Sequence, residues 1–249
     1  MSAEPPTDSE SGAGDALALE RRRRESAEAF LAVMSHELRT PITSISGNAA
    51  LLARNPGRHD AEELIADMQA EIERLTRIVD DLLVLSGVDR GLLELSAEPV
   101  LLQHLVPQVI EDVLRRSPEV ELRARIGPEV SPVVADTTAL SQVLYNLTRN
   151  AAAYAGDEGP IELSARALGD EVEVVVRDHG PGLGSDPDSL FALFRRNPST
   201  AGRTPGSGIG LYVVRELLRA MGSDISARSR APHGAEFSFR LAAVADSEA

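Results

Sequence analysis

The sequence predicts an α+β protein, in which a helical hairpin is followed by an α/β sandwich. Two long segments have apolar residues at steps of three and four and are separated by the Pro- and Gly-containing stretch 55–60, which predicts two helices joined by a turn. Beyond residue 90, short alternating segments are mixed with helical ones. The dipeptide Gly169-Asp170 between two alternating segments is a strong hairpin signal. A chain of 249 residues is long enough for two modest domains.

The predicted hairpin domain spans residues 20–90. Its apolar positions are Leu31, Met34, Leu38, Ile42, Ile45, Ala49 and Leu52 in the first helix, and Leu64, Met68, Ile72, Leu75, Val79 and Leu82 in the second. A lone hairpin leaves both stripes half covered, and pairing with a second copy into a four-helix bundle buries them. We therefore predict a homodimer. Residues 1–19 begin with Ser, Pro, Gly and acidic residues without apolar periodicity, and we expect a disordered tail there.

The second predicted domain spans residues 91–243 and is followed by a short tail at 244–249. Helices are expected near 101–116 and 138–154, and in LYVVRELLRAMG. The segments LLELSAEPV, VELRARI and PVVAD are expected strands, IELSARAL pairs with EVEVVVRD, and DISARSR pairs with AEFSFRLAAV. Helices on one face of this mixed sheet give the α/β sandwich.

Composition and charge exclude several function classes. The balance of 25 basic and 39 acidic residues gives a net charge of -14, which repels nucleic acid phosphates and anionic lipids. With no cysteine, the chain has no disulfide, thiolate metal site or cysteine nucleophile. No segment approaches the roughly 20 apolar residues that span a bilayer, and the first residues have no signal-peptide core. We expect a cytoplasmic protein with no nucleic-acid partner.

The first helix carries the heptapeptide SHELRTP at 35–41. Because an α-helix advances about 100° per residue, His36 lies about 200° from both Met34 and Leu38 and faces away from the apolar stripe. It should therefore be exposed. An exposed imidazole is partly unprotonated near neutral pH, and its free ring nitrogen can attack phosphorus.

The neighbours of His36 bear on that chemistry. Glu37 could orient the second ring nitrogen, and Pro41 lacks a backbone N–H, which should bend or loosen the helix beside the histidine. For His36 and Glu37 alone, a surface helix that simply carries a histidine is the alternative. A zinc-protease helix is excluded, because Thr40 stands where that motif needs a second histidine.

Asparagines and glycines form the remaining candidate sites. Asn146 and Asn150 are four residues apart on one helix face, where their amides suit a metal-phosphate unit, although capping or surface roles are the alternative. The stretch DHGPGLG at 178–184 follows a strand. Its carboxylate could accept a hydrogen bond from an adenine amino group, and its glycines would let the backbone come close to the base; the alternative is a simple turn. The stretch GSGIG at 206–210 opens a helix and offers backbone N–H groups to phosphates. It is not a Walker loop.

A polar, Pro-containing stretch lies between the two glycine-rich segments. The sequence LFALFRRNPSTAGRTP at 190–205 has no periodicity, which is typical of a mobile lid. Arg195, Arg196 and Arg203 could meet phosphate charge there, and a solvated loop is the alternative.

Taken together, these residues resemble the histidine kinase family. The matching motifs are an H box at 35–41, an N box at 146–154, a first glycine box at 178–184, a phenylalanine box at 191–194 and a second glycine box at 206–210. Their order and spacing both match, and the resemblance covers about residues 25–242. It implies a dimerisation and histidine-phosphotransfer hairpin followed by a Bergerat-type ATP-binding domain, the fold shared with gyrase and heat-shock chaperone ATPases.

The resemblance implies an ATP-dependent autokinase that phosphorylates itself and passes the phosphate to an aspartate of a response regulator. By that likeness His36 is the phosphoacceptor and Glu37 its acid/base partner. Thr40 matches the position from which relatives orient a water that dephosphorylates the response regulator. An upstream sensor module or a sensory partner is also expected.

The resemblance also implies a nucleotide site. Asn150, with Asn146, would hold Mg²⁺, and Asp178 would recognise adenine. The other residues expected around ATP are Tyr154, Gly180, Gly182, Gly184, Phe194, Arg195, Gly206, Ser207, Gly208, Ile209, Gly210 and Leu211.

One position departs from the family pattern, in which a basic residue often follows the second asparagine by three. Ala153 stands there, so either Arg149 or a lid arginine substitutes, or ATP affinity is low. Ala153 alone supports the rival interpretation, a nucleotide-binding dimeric scaffold without kinase activity. An anti-sigma serine kinase shares the ATP fold but lacks the histidine-bearing hairpin.

Overall fold

The computed structural model describes residues 8–90, 95–155, 158–195 and 208–245. The chain divides into two compact units, residues 1–78 and residues 79–249. The division lies within the second helix, α2, so the predicted domain boundary near residue 90 stays a prediction. In the part of the chain described, no helix is long and apolar enough to cross a membrane.

The first unit is built from a helical hairpin, as predicted. Helix α1 spans Asp8–Arg54, and helix α2 spans Ala61–Arg90. Between them the Asn55 N–H donates to the Leu51 carbonyl and the Arg58 N–H to the Asn55 carbonyl, which closes the turn where Pro and Gly break the helical pattern.

Helix α1 begins earlier than the sequence analysis predicted. Residues 8–19 were expected in a disordered tail, and they are helical. Beyond Pro6 there is no proline before Pro41, and the Ala-, Leu-, Glu- and Arg-rich segment from Asp15 to Arg24 has high helix propensity. The rest of the predicted tail, residues 1–7, lies outside the described residues. The helix also continues through Pro41.

The apolar stripe of the hairpin is only partly covered within one chain. Met34 is buried, at 5% exposure, and Leu38, Ile45 and Leu52 are half-buried. Other large apolar side chains on the two helices stay 43–65% exposed, namely Leu31, Ile42, Leu51, Ile65, Ile72, Val79 and Leu83. The hairpin therefore has an apolar face that its own chain does not bury.

The second unit contains a mixed five-stranded sheet with the order β2-β4-β5-β7-β6 and a two-stranded antiparallel pair, β1-β3. The strands are β1 Glu98–Val100, β2 Leu122–Ile126, β3 Val133–Ala135, β4 Ile161–Leu168, β5 Glu171–Arg177, β6 Ile225–Ser229 and β7 Ala235–Ala242. The helices are α3 Leu102–Leu114, α4 Thr137–Ala155 and α5 Gly210–Ala220, with a short 3₁₀ helix at Pro187–Phe191. Only β2 and β4 pair in parallel within the large sheet.

The helices pack against one face of this sheet. Strands β4, β5 and β7 alternate, and Val174 pairs with Phe239 and Val176 with Phe237 on the buried face. Helix α4 presents a fully buried side to them, lined by Leu140, Val143, Leu144 and Leu147. The predicted α/β sandwich is confirmed.

The other face of the sheet is covered by paired charges. Glu236 forms ion pairs with Arg177 and Arg228, with N···O distances of 2.7 Å and 2.6 Å. Glu173 forms a third ion pair with Arg166 at 2.5 Å. This polarity explains why the helices occupy a single side.

One predicted strand is wrong in extent. The segment LLELSAEPV was expected to be a strand throughout, but among its described residues only Glu98–Val100 pair, with Val133–Ala135. Just before this strand, the Ser96 N–H donates a 2.9 Å hydrogen bond to Asp136 Oδ2, a side chain, and does not pair with a strand.

Candidate functional site

The H box lies on an open side of α1. His36 is exposed, as predicted. One turn later the Thr40 hydroxyl donates a 3.1 Å hydrogen bond to the His36 carbonyl. A shallow groove on the same helix face is lined by His36, Arg39, Thr40, Thr43, Ser44, Gly47, Asn48 and Leu51. The imidazole is therefore accessible to a reactant from outside the helix.

Glu37 makes its closest contact with α2. Its Oε2 accepts a 3.0 Å hydrogen bond from Arg74 Nη2, and Arg74 also lies 3.7 Å from Glu71. The Glu37 side chain is only 16% exposed, so the pair is better shielded than a surface ion pair. The role of Glu37 as acid/base partner of His36 stays a prediction, because here its carboxylate is engaged with Arg74.

Asp178 directly follows the last residue of β5 and is 4% exposed. Its Oδ1 accepts hydrogen bonds from the Gly180 N–H at 2.9 Å and the Ala235 N–H at 3.0 Å. Burial raises the pKa of this carboxyl, and the two N–H donors offset part of that rise. The carboxylate is thus held rigidly between the end of β5 and the start of β7.

Two glycines make room for the backbone around Asp178. Gly234 has φ 111, and a Cβ built on it would overlap the Asp178 carbonyl oxygen. Gly182, with φ 82, would place a Cβ 3.3 Å from Ser229 Oγ, and that hydroxyl accepts from the Leu183 N–H at 3.0 Å. The sequence analysis missed Gly234 and Ser229; the turn sequence APHGA before β7 was the only signal.

The N box and the second glycine box come together in space. Asn146 is 4% exposed, and its Nδ2 makes no hydrogen bond. A Cβ on Gly210 would lie 3.5 Å from Asn146 Oδ1 and 3.3 Å from Arg149 Nη2. A side chain at position 210 would press on the Arg149 guanidinium, so glycine lets the first turn of α5 lie beside α4 without displacing it. Asn150 and Tyr154 lie on the same helix and are half-buried.

The phenylalanine box adjoins the second glycine box. The Phe194 N–H donates to the Gly208 carbonyl at 3.1 Å, and a Cβ on Gly208 would lie 2.9 Å from the Arg195 carbonyl oxygen. Ile209 is buried, Leu211 is half-buried and Arg195 is exposed. Gly206 and Ser207, together with most of the predicted lid, lie outside the described residues.

Arg215 is a further residue that sequence reasoning missed. It lies on α5, and its Cζ sits 5.4 Å from the ring centroid of Phe191, while its Nη2 donates to the Phe191 carbonyl at 3.1 Å. Phe191 in turn packs edge-on against Phe237 of β7, at 6.3 Å between ring centroids. Arg215 therefore joins α5 to the phenylalanine box through a cation–π contact.

These residues fit a nucleotide. A rigid acceptor at Asp178 suits an adenine amino group. The start of α5, where Gly208 and Gly210 pack closely against their neighbours and Asn146 lies alongside, offers backbone N–H groups that suit a phosphate group. Among the described residues no cluster of three or more His, Asp or Glu side chains is placed to hold a metal.

Comparisons with known proteins agree with this assignment. Residues 135–245 match the family described as "Histidine kinase-, DNA gyrase B-, and HSP90-like ATPase". Residues 26–91 match the family described as "His Kinase A (phospho-acceptor) domain". A phospho-acceptor hairpin joined to an ATPase domain of this type defines a protein-histidine kinase.

The chain is similar to sensor kinases along most of its length. It is 33% identical to the sensor histidine kinase ZraS of Salmonella typhimurium over 92% of the chain and 48% of ZraS. It is 34% identical to the kinase/phosphatase MprB of Mycolicibacterium paratuberculosis over 80% of the chain and 39% of MprB. A structure of full-length ShkA in complex with AMPPNP matches with a TM-score of 0.63 and 29% identity, over 87% of the chain and 46% of ShkA.

The chain belongs to the sensor histidine kinases of two-component systems. It spans about half or less of the length of these curated relatives.

Replacing Asp178 with Asn should weaken ATP binding about 10- to 100-fold. The Asn amide keeps an oxygen that can accept from the Gly180 and Ala235 N–H groups. Its NH₂ would face the amino group of adenine, and two donors cannot form a hydrogen bond. Because burial raises the Asp178 pKa, the carboxylate costs stability once the pH exceeds that pKa, so the free energy of unfolding at pH 7 should not fall. Calorimetric titration and urea unfolding measure the two effects, with the exposed Asp170→Asn as control.

The pH dependence offers a second readout of the same variant. In the native chain, ATP affinity should decline on acidification at a higher pH than an ordinary Asp would give, because protonation removes the acceptor. The Asp178→Asn substitution should abolish that decline. Unchanged ATP affinity in Asp178→Asn would contradict the assignment of adenine recognition.

Proposed function

We propose that the chain uses Mg-ATP to phosphorylate His36 and then transfers the phosphate to an aspartate of a response-regulator receiver domain. The observation that carries this proposal is the presence in one chain of an exposed His36 on α1 and, in the second unit, of Asn146 beside Gly210 at the start of α5, where backbone N–H groups can bind a phosphate. The AMPPNP in the ShkA structure supports the choice of an adenine nucleotide.

The chemistry follows from the accessible imidazole. A free ring nitrogen of His36 attacks the γ-phosphorus in line; an N–P bond forms, the bond from phosphorus to the β,γ-bridging oxygen breaks, and ADP leaves. The second ring nitrogen carries the proton, and Glu37 is the group proposed to orient it once released from Arg74. The backbone N–H groups at the start of α5 offset phosphate charge.

Mg²⁺ is the proposed cofactor. Asn150 and Asn146 would hold it, because carboxamide oxygens are hard ligands suited to this ion, and when bound it would neutralise charge on the phosphates. Because ATP is supplied in the cytoplasm, we place the reaction there. This chain leaves half or more of each relative's length unmatched, and we expect an input module in that part.

The labelling experiment tests the central step. With γ-labelled ATP and Mg²⁺, the native chain should acquire acid-labile, base-stable label, and His36→Gln should acquire none. His59→Gln is the matched control, because His59 is also exposed on the hairpin, and it should label normally. Label that persists in His36→Gln would contradict the proposal. ATP binding without any label would favour the scaffold alternative.

We propose a homodimer formed through the apolar face of the hairpin. Ile72 is 50% exposed in the single chain, and Ile42 is 51% exposed, whereas partner helices would bury both in a four-helix bundle. Replacing Ile72 with Glu should convert a dimer to a monomer in sedimentation equilibrium, since it would bury an unpaired charge. Leu168→Glu, at an exposed residue of β4, should leave the dimer intact. A dimeric Ile72→Glu chain would refute this interface.

A second activity is proposed for Thr40. It lies one turn from His36 in the same groove, and MprB is named as a kinase/phosphatase. In the conformation described, the Thr40 hydroxyl donates to the His36 carbonyl, which leaves its oxygen lone pairs able to accept from a water. Thr40→Ala should slow dephosphorylation of the phosphorylated partner about tenfold or more, while His36 labelling persists. An unchanged dephosphorylation rate would rule out this role.

A further inference from the structure

His179, which directly follows Asp178, ties the first glycine box to the start of β4. Its ring Nδ1 lies 2.9 Å from the Pro160 carbonyl oxygen, and its side chain is half-buried. Because a carbonyl oxygen only accepts, Nδ1 carries the hydrogen, and the lone pair of the neutral ring is on Nε2. No step of the proposed reaction uses this hydrogen bond, which joins two segments that are distant in the sequence.

The strand register explains why a side chain makes this bond. Strands β4 and β5 pair antiparallel, with Glu162 opposite Arg177, and the same register continued by two residues places Pro160 opposite His179. Proline has no backbone N–H, so Pro160 cannot donate to the ladder, and the pairing ends before it. The His179 ring supplies the donor for the Pro160 carbonyl beyond the last paired residues.

The backbone beside Pro160 leaves room for the ring. Gly159 has φ 153, and a Cβ built on it would lie 2.9 Å from His179 Cγ. A side chain at position 159 would push the imidazole away from the Pro160 carbonyl, so this close approach needs glycine. Residues 158–160 lead from α4, the helix of the N box, into β4. The ring therefore connects the segment that follows the N box to the first glycine box.

On its other side, Asp178 is held by β7. Its backbone N–H donates to the Ala235 carbonyl at 3.0 Å, and the Ala235 N–H donates to Asp178 Oδ1 at 3.0 Å. The His179 ring holds the same turn on the β4 side. A carboxylate held from both sides keeps the position in which it can accept from an adenine amino group.

We infer that His179 is a positioning residue for adenine recognition, which holds the Asp178 carboxylate in place by bonding to Pro160. The inference rests on the proposed ATP-binding function and adds to it a residue that sets base specificity. His179 acts through Asp178 and not on the nucleotide. The preference for a 6-amino purine over a 6-oxo purine depends on this acceptor, because an oxo group presents a lone pair to the carboxylate.

Nucleotide titration tests this role. His179→Leu removes the donor and should weaken ATP binding about 3- to 10-fold, as expected for one hydrogen bond. It should also lower the ratio of ATP to ITP affinity, because ITP has an oxo group in place of the adenine amino group. His179→Asn should restore both values, since the Asn Nδ2 lies near the position of the imidazole Nδ1. His104→Leu, at an exposed histidine of α3, should change neither.

A double-variant cycle separates positioning from a general loss of stability. In the Asp178→Asn background the acceptor is already lost, so His179→Leu should cause no further loss of ATP affinity. A His179→Leu chain that binds ATP and ITP like the native chain would overturn the inference. An equal loss in both backgrounds, or in His179→Asn, would also overturn it. His179→Ala gives the same comparison if His179→Leu does not fold. If the native chain binds neither ATP nor adenosine, the proposed function itself fails.

Discussion

The contact between α4 and the first turn of α5 is the constraint on which the nucleotide site depends. Gly210 has no side chain, so the start of α5 can approach the Asn146 amide and the Arg149 guanidinium within a few ångströms. Both helices are anchored by fully buried apolar residues, such as Leu147 on α4 and Val213 and Leu218 on α5. The sandwich core therefore fixes two polar motifs that lie more than fifty residues apart in the sequence.

The sheet fixes the other end of the site. Asp178 follows the last residue of β5, and its hydrogen bonds reach Ala235, the first residue of β7. Gly234 allows the Asp178 carbonyl to pass close by. The proposed adenine acceptor thus depends on strand register, and the proposed phosphate site depends on helix packing. Because both belong to the second unit, the distance between them is set by one rigid core.

The fold and the local motifs were predictable because their signals lie within short stretches of sequence. Periodicity gave the hairpin, and the angle from Met34 gave the exposure of His36. Glycines clustered after a strand and before a helix gave the two glycine boxes, and Gly169-Asp170 between alternating segments gave the strand pair. Contacts between distant segments were not predictable. Arg74 meets Glu37 and Arg230 reaches toward Asp178 across long sequence separations, and no local pattern marks such partners. The early start of α1 was missed because glycines and serines near residue 10 obscured the helix-forming segment behind them.

An experimental structure of the chain with Mg²⁺ and a non-hydrolysable ATP analogue would test the central claim most directly. The account predicts that the adenine amino group donates to Asp178 and that the phosphates lie at the start of α5, beside Asn146 and Asn150. A nucleotide bound elsewhere, or with its adenine away from Asp178, would contradict it.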